Sequence, residues 1–183
     1  TVVAAADDFA VAMGPLCHVT SLDASSVRLL WKMDLVKEFG TTVPPWYAGQ
    51  CPLIDGDNVI LAPGADPLMM AVEGKSGKVL WRTPNPGGWG MTHSSVAPMD
   101  FQGVRMYIYC TTRGVVGVSA LDGRVLWTKP DWKISIATVP SPVVVPPDRV
   151  FLSAGYGAGC AMVRLKRSGD DIVAEELWRR EPA

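Results

Sequence analysis

The residues of this chain best suited to acid–base, nucleophilic or metal chemistry are two histidines, His18 and His93, and four cysteines, Cys17, Cys51, Cys110 and Cys160. His93 precedes Ser94 and Ser95, so a base and a hydroxyl nucleophile are adjacent. The glycine pattern of a nucleophile elbow and an acidic orienter for the imidazole are both missing around them. His18 falls inside an apolar β run, where a structural role is the expectation. The cysteines lie far apart with no C-x-x-C pair of the kind that binds zinc or does redox work, and they read as core residues, with disulfides left open. The glycine run from Gly155 to Gly159 resembles a phosphate cradle only superficially. It lies between two β runs, with no helix N-terminus to hold an anion. The turn from Lys75 to Lys78 lacks the Walker spacing. These patterns predict no catalytic constellation and no metal site, and the chain is expected not to be an enzyme.

The seven tryptophans carry a stronger signal. Four follow a leucine, at Trp31, Trp81, Trp127 and Trp178, with steps of 50, 46 and 51 residues. A fixed period of that length marks a repeat architecture built of propeller blades. Upstream of each Leu-Trp pair a turn begins at an apolar residue, Leu22, Val72, Leu121 or Leu165, at spacings of 9, 9, 6 and 13 residues from the tryptophan. Length changes therefore fall in that turn and spare the strands. Earlier β runs at residues 9–12, 59–61, 106–109 and 150–152, and first strands at 1–4, 52–54, 95–99 and 141–145, complete four strands per repeat.

The expectation is an all-β chain, a β-propeller segment of four-stranded antiparallel blades over residues 1–183, with blades near 1–34, 50–84, 94–130 and 140–181. A lone sheet of this kind cannot bury both faces, so blades stack around an axis, with the repeated tryptophans as filler between them.

At 48% apolar, the 183 residues suffice for a real core. Seventeen basic against eighteen acidic residues leave no excess of positive charge for binding phosphates, which argues against a nucleic-acid partner. No apolar run approaches the roughly 20 residues of a membrane-spanning helix.

The segments Lys75-Ser-Gly-Lys-Val-Leu-Trp81 and Leu121-Asp-Gly-Arg-Val-Leu-Trp127 resemble the pyrroloquinoline-quinone-type propeller repeat. Residues 36–67, with Pro44-Pro45-Trp46 and Pro52-Leu-Ile-Asp-Gly-Asp-Asn58, are similar to secreted bacterial propellers of the outer-membrane assembly factor BamB type. The resemblance implies a ring of seven or eight blades, of which four would be an arc with uncovered terminal faces and a tendency to associate through them. It also implies a periplasmic or secreted location. Quinone enzymes with such repeats use a Glu/Asn/Asp cluster around a metal-bound quinone, often with adjacent cysteines. Asn58 and Asn85 are the only asparagines, no Cys-Cys pair exists, and no pyrroloquinoline quinone site is expected.

In such propellers the loops between blades and the turns between second and third strands gather on one face. That mapping places Trp46, Tyr47 and Gln50 in the first junction, Trp89, Met91 and His93 in the second, and Trp132 and Lys133 in the third, with Asp66, Arg113 and Tyr156 in the turns. The expected binding face is Trp46, Tyr47, Trp89, His93, Arg113, Trp132 and Tyr156, with Trp46, Trp89 and Trp132 as aromatic platforms. The opposing reading is that these bulky residues plug the channel and cover blade edges. The function expected is a non-catalytic scaffold or binding module for a protein or cell-envelope partner. The alternatives are a fragment of a quinoprotein oxidoreductase and a sensor or carbohydrate-binding propeller.

Overall fold

The computed structural model describes residues 2–181. Sixteen strands form four separate four-stranded antiparallel sheets, each in simple meander order. The first blade is β1 (Val2–Ala5), β2 (Phe9–Met13), β3 (His18–Asp23) and β4 (Leu29–Asp34). The second is β5 (Leu53–Asp55), β6 (Asn58–Leu61), β7 (Met70–Glu73) and β8 (Val79–Arg82). The third is β9 (Ala97–Phe101), β10 (Val104–Thr111), β11 (Gly114–Ser119) and β12 (Val125–Lys129), and the fourth is β13 (Val143–Val145), β14 (Arg149–Ala154), β15 (Gly159–Ser168) and β16 (Asp171–Arg180).

One row of cross-strand neighbours recurs in every blade. It reads Ala4–Val11–Ser21–Trp31, Leu53–Ile60–Ala71–Trp81, Ala97–Ile108–Gly117–Trp127 and Val143–Phe151–Met162–Trp178. Because side chains alternate across a strand, this row marks the face each blade turns toward its successor. A bulge follows the third-strand member of each row, between Ser21 and Leu22, Ala71 and Val72, Gly117 and Val118, and Met162 and Val163. Three apolar clusters fill the seams between blades one and two, two and three, and three and four. None of these clusters joins the fourth blade to the first, so the described residues form an open arc.

Trp31 and Trp81 lock the first two seams. Each indole donates to a carbonyl of the next blade, Trp31 Nε1 to Gly74 O at 2.8 Å and Trp81 Nε1 to Ala120 O at 3.0 Å. Each lies over a left-handed glycine of that blade's third-to-fourth-strand turn, Gly77 at φ 73° or Gly123 at φ 75°. A Cβ there would come within 2.8 Å of Trp31 Cγ or 2.5 Å of Trp81 Cε3, so both the backbone conformation and the close approach call for glycine.

The third seam is built differently. Trp127 Nε1 turns back to Met106 Sδ of its own blade at 3.4 Å. Gly169, at the tip of the long β15–β16 hairpin, has open space beside it. Lys129, buried at the end of β12, reaches Glu176 on β16 at 2.8 Å and Asp131 at 2.9 Å, while Arg179 pairs with the same two carboxylates. Trp178, on the last of the described blades, is 40% exposed.

Candidate functional site

The chain leaves the first blade through a helix not anticipated from the sequence, α1 (Leu35–Phe39). Asp34 Oδ1 caps it by accepting from Val36 N and Lys37 N, Glu38 reaches back to Asp34 N, and Gly40 ends it in left-handed geometry. The signal was present in Asp34 followed by Glu38 and Gly40, but five residues are too few for a readable apolar period.

Beyond the helix, residues 40–50 form the first blade junction. Tyr47 N donates to Pro44 O, and Ala48 N donates to Pro15 O in the second-to-third-strand turn of the first blade. Trp46 and Tyr47 are both held in left-handed backbone, at φ 62° and 73°, and are 68% and 58% exposed. Two consecutive aromatic residues in that conformation carry a strain of about 1–3 kcal/mol each, and such strain tends to gather at functional surfaces. Burial does not offset it here, because both rings face solvent.

What holds them is His93. Its Nε2 lies 2.7 Å from Pro45 O, and because a carbonyl only accepts, that nitrogen carries the proton. The ring packs over Gly49, lies 6.4 Å from the Trp46 ring, and its backbone N–H donates to Thr138 O in the third junction. One residue of the second junction therefore ties together all three inter-blade loops.

The remaining expected site residues separate. Trp89 is half-buried against the second seam in a loop pinned by Asn85, which bonds Trp89 N, Trp89 O and Ala65 O. The structure seats Trp132 at 3% exposure inside the third seam, under Arg179, so its ring is unavailable to a ligand. Gln50 is buried too: it bridges the Ala62 backbone and Tyr109 Oη, which also accepts from Thr92 N. Met91 is buried against Cys17. Arg113, Tyr156, Asp66 and Lys133 are exposed on their own turns and loops. Trp46, Tyr47 and His93 are brought together; the three tryptophans do not form one platform.

Burial pushes the Tyr109 hydroxyl up to about 12 and the Cys110 thiol up to about 12, so both stay protonated. All four cysteines are free. His18 sits at the start of β3, paired with Asp34 at 3.4 Å, on the far side of the first blade from the second. Among the described residues no three His, Cys, Asp or Glu side chains converge to hold a cation, and His93 is committed to Pro45.

A family described as outer membrane protein assembly factor BamB matches residues 2–183. Among solved structures, BamB from Moraxella catarrhalis superposes with a TM-score of 0.65 at 14% identity, over 97% of this chain and 50% of that one. Quinohemoprotein alcohol dehydrogenase ADHIIG from Pseudomonas putida HK5 superposes at 0.57 and 14% identity, over 88% of this chain and 28% of that one. A europium-containing methanol dehydrogenase does so at 0.55 and 15% identity, over 88% and 37%. The chain thus spans half the length of the BamB structure it matches. At these identities the likeness concerns the fold. No curated protein matches in sequence.

Proposed function

The chain belongs to the outer membrane protein assembly factor BamB family, and on that premise we propose that it is a non-catalytic propeller segment of the bacterial envelope that binds a protein partner through the Trp46–Tyr47–His93 face. The observation that carries this reading is the pair of exposed aromatic rings in left-handed backbone, held there by the His93–Pro45 bond. Large aromatic side chains on a rigid support are the usual anchors of protein interfaces. The fixed loops lower the ordering cost of binding. Gln50 is internally satisfied and His93 Nε2 is already committed, so few polar groups remain here to recognise sugar hydroxyls. That favours a protein partner over a glycan. A periplasmic or secreted location accompanies this reading.

The test is site-specific photocross-linking in bacterial envelope extract, with the reactive residue placed at Trp46, or at Leu121 on the opposite face, which is 89% exposed. A discrete adduct from position 46 that is absent from 121 and abolished by His93→Ala supports the reading. Equal adducts from both positions, or none from 46, overturn it. The alternative of a quinoprotein oxidoreductase fragment draws on the dehydrogenase folds and predicts saturable calorimetric binding of pyrroloquinoline quinone with calcium.

A further inference from the structure

The Trp46–Tyr47–His93 face is set apart by what it lacks. Charged residues make up 19% of the chain. None lies in the three connections that build this face: residues 14–17 between β2 and β3, residues 40–52 between α1 and β5, and residues 83–96 between β8 and β9. The opposite end of the same blades carries charge in every third-to-fourth-strand turn, with Arg28 in the first, Lys75 and Lys78 in the second, and Asp122 and Arg124 in the third. Lys37 and Glu38 on α1, and Asp66 and Arg113 on their own turns, bring both signs of charge to the near end, but on other elements. In place of charge the face has apolar surface. Leu16, 49% exposed, follows Pro15, whose carbonyl accepts from Ala48 N, so its turn is fastened to the loop that carries Trp46 and Tyr47.

The hydrogen-bonding character of the loop is equally one-sided. Pro44 and Pro45 have no N–H, and their carbonyls are taken, Pro44 O by Tyr47 N and Pro45 O by His93 Nε2. The polar groups that the two exposed rings present are Trp46 Nε1, which only donates, and Tyr47 Oη, which can donate. A segment that complements them brings acceptors and apolar surface, and it gains nothing from charge. Helices and paired strands spend their carbonyls on their own ladders. A run of prolines in the polyproline II conformation has no internal hydrogen bonds and no N–H, so its carbonyls are free acceptors. Its rings lie well on aromatic faces, and being already ordered it loses little entropy on docking.

We infer that this face takes an uncharged, proline-rich segment of its partner in the polyproline II conformation, an inference that rests on the protein-binding reading of the same face. Trp46 Nε1 donates to a backbone carbonyl of the segment, and the rings of Trp46 and Tyr47 hold the proline rings on either side of it. The left-handed backbone at both residues holds the rings away from the core, where such a segment can lie across them.

The test is titration of the chain into a fluorophore-labelled oligoproline of about ten residues, roughly three turns of the helix, read by anisotropy. Saturable binding is expected, unchanged between about 0.05 and 0.5 M salt because no ion pair contributes. Trp46→Ala should weaken it at least about tenfold. Trp46→Phe, which keeps a ring and loses the indole donor, should fall between that variant and the wild type. Leu121→Ala, on the opposite face, should change nothing. A glycine–serine peptide of equal length should not bind. Absence of saturable oligoproline binding, equal binding of the glycine–serine peptide, marked weakening by salt, or indifference to Trp46→Ala overturns the proline-rich assignment. The photocross-link at position 46 separates this failure from that of the protein-binding reading: a discrete adduct without oligoproline binding removes the proline-rich segment alone, and loss of the adduct removes both.

Discussion

The first two seams and the third are each filled by an apolar cluster but are fastened differently. Trp31 and Trp81 cross to the next blade and rest on Gly77 and Gly123, so each lock depends on a turn about 45 residues away in the chain. In the third seam the hairpin that should present the glycine is lengthened to ten residues per strand, and Gly169 is carried out to its tip. Trp127 therefore stays in its own blade. Its place is taken by Trp132 and by Lys129 and Arg179 shared between Asp131 and Glu176. A repeat can thus keep its sequence signature while the joint it codes for changes, because the joint needs two partners and the signature supplies one.

The largest expected effect separates covered from open tryptophans. Trp127→Ala and Trp81→Ala should each cost about 3–5 kcal/mol in denaturant unfolding, by cavity formation in a seam, and Trp178→Ala less than about 1 kcal/mol. Equal costs at all three positions would erase the distinction. Next comes the glycine pair. Gly123→Ala drives a Cβ into the Trp81 ring and should cost about 3 kcal/mol, whereas Gly169→Ala, with the same sign of φ but open space, should cost about 1 kcal/mol.

A smaller effect is specific to the charged seam. Hydrogen bonds from Arg179 and then Lys129 hold the Glu176 carboxyl down from its ordinary 4.5 to about 2. A depressed carboxylate contributes stability above its unfolded pKa, and that contribution is lost as pH falls through the folded value. Between about pH 4.5 and 2 the wild type should therefore lose on the order of 1–2 kcal/mol that Glu176→Gln does not lose. Chemical denaturation at stepped pH checks this, and parallel curves for the two proteins would remove the ion cluster from the seam's stability.

The blade pattern was legible because its causes are local. Alternation of apolar residues in stretches such as residues 9–13, and turn chemistry at Leu121-Asp122-Gly123, depend on neighbours within a few positions. The candidate site was legible only in part. Trp46 and Trp132 are the same residue type in the same kind of loop, and one is exposed while the other is buried. The difference lies above the loop: Arg179, 47 positions beyond Trp132, covers the second ring, while nothing covers the first. The His93 tie to Pro45, the Gln50–Tyr109 bridge and the Lys129 ion cluster all join residues distant in the chain, and spacing carries no trace of them.

The sequence by itself determined the four-fold repeat, the strand content, the positions of the turns and the family resemblance, since period-two patterning and glycine-bearing turns act through the backbone close at hand. Only the tertiary structure decided which tryptophans fasten seams and which aromatic rings reach solvent. Those outcomes depend on the volume and charge of whatever packs opposite, and in a stack of blades the opposite residue is always about a full repeat away.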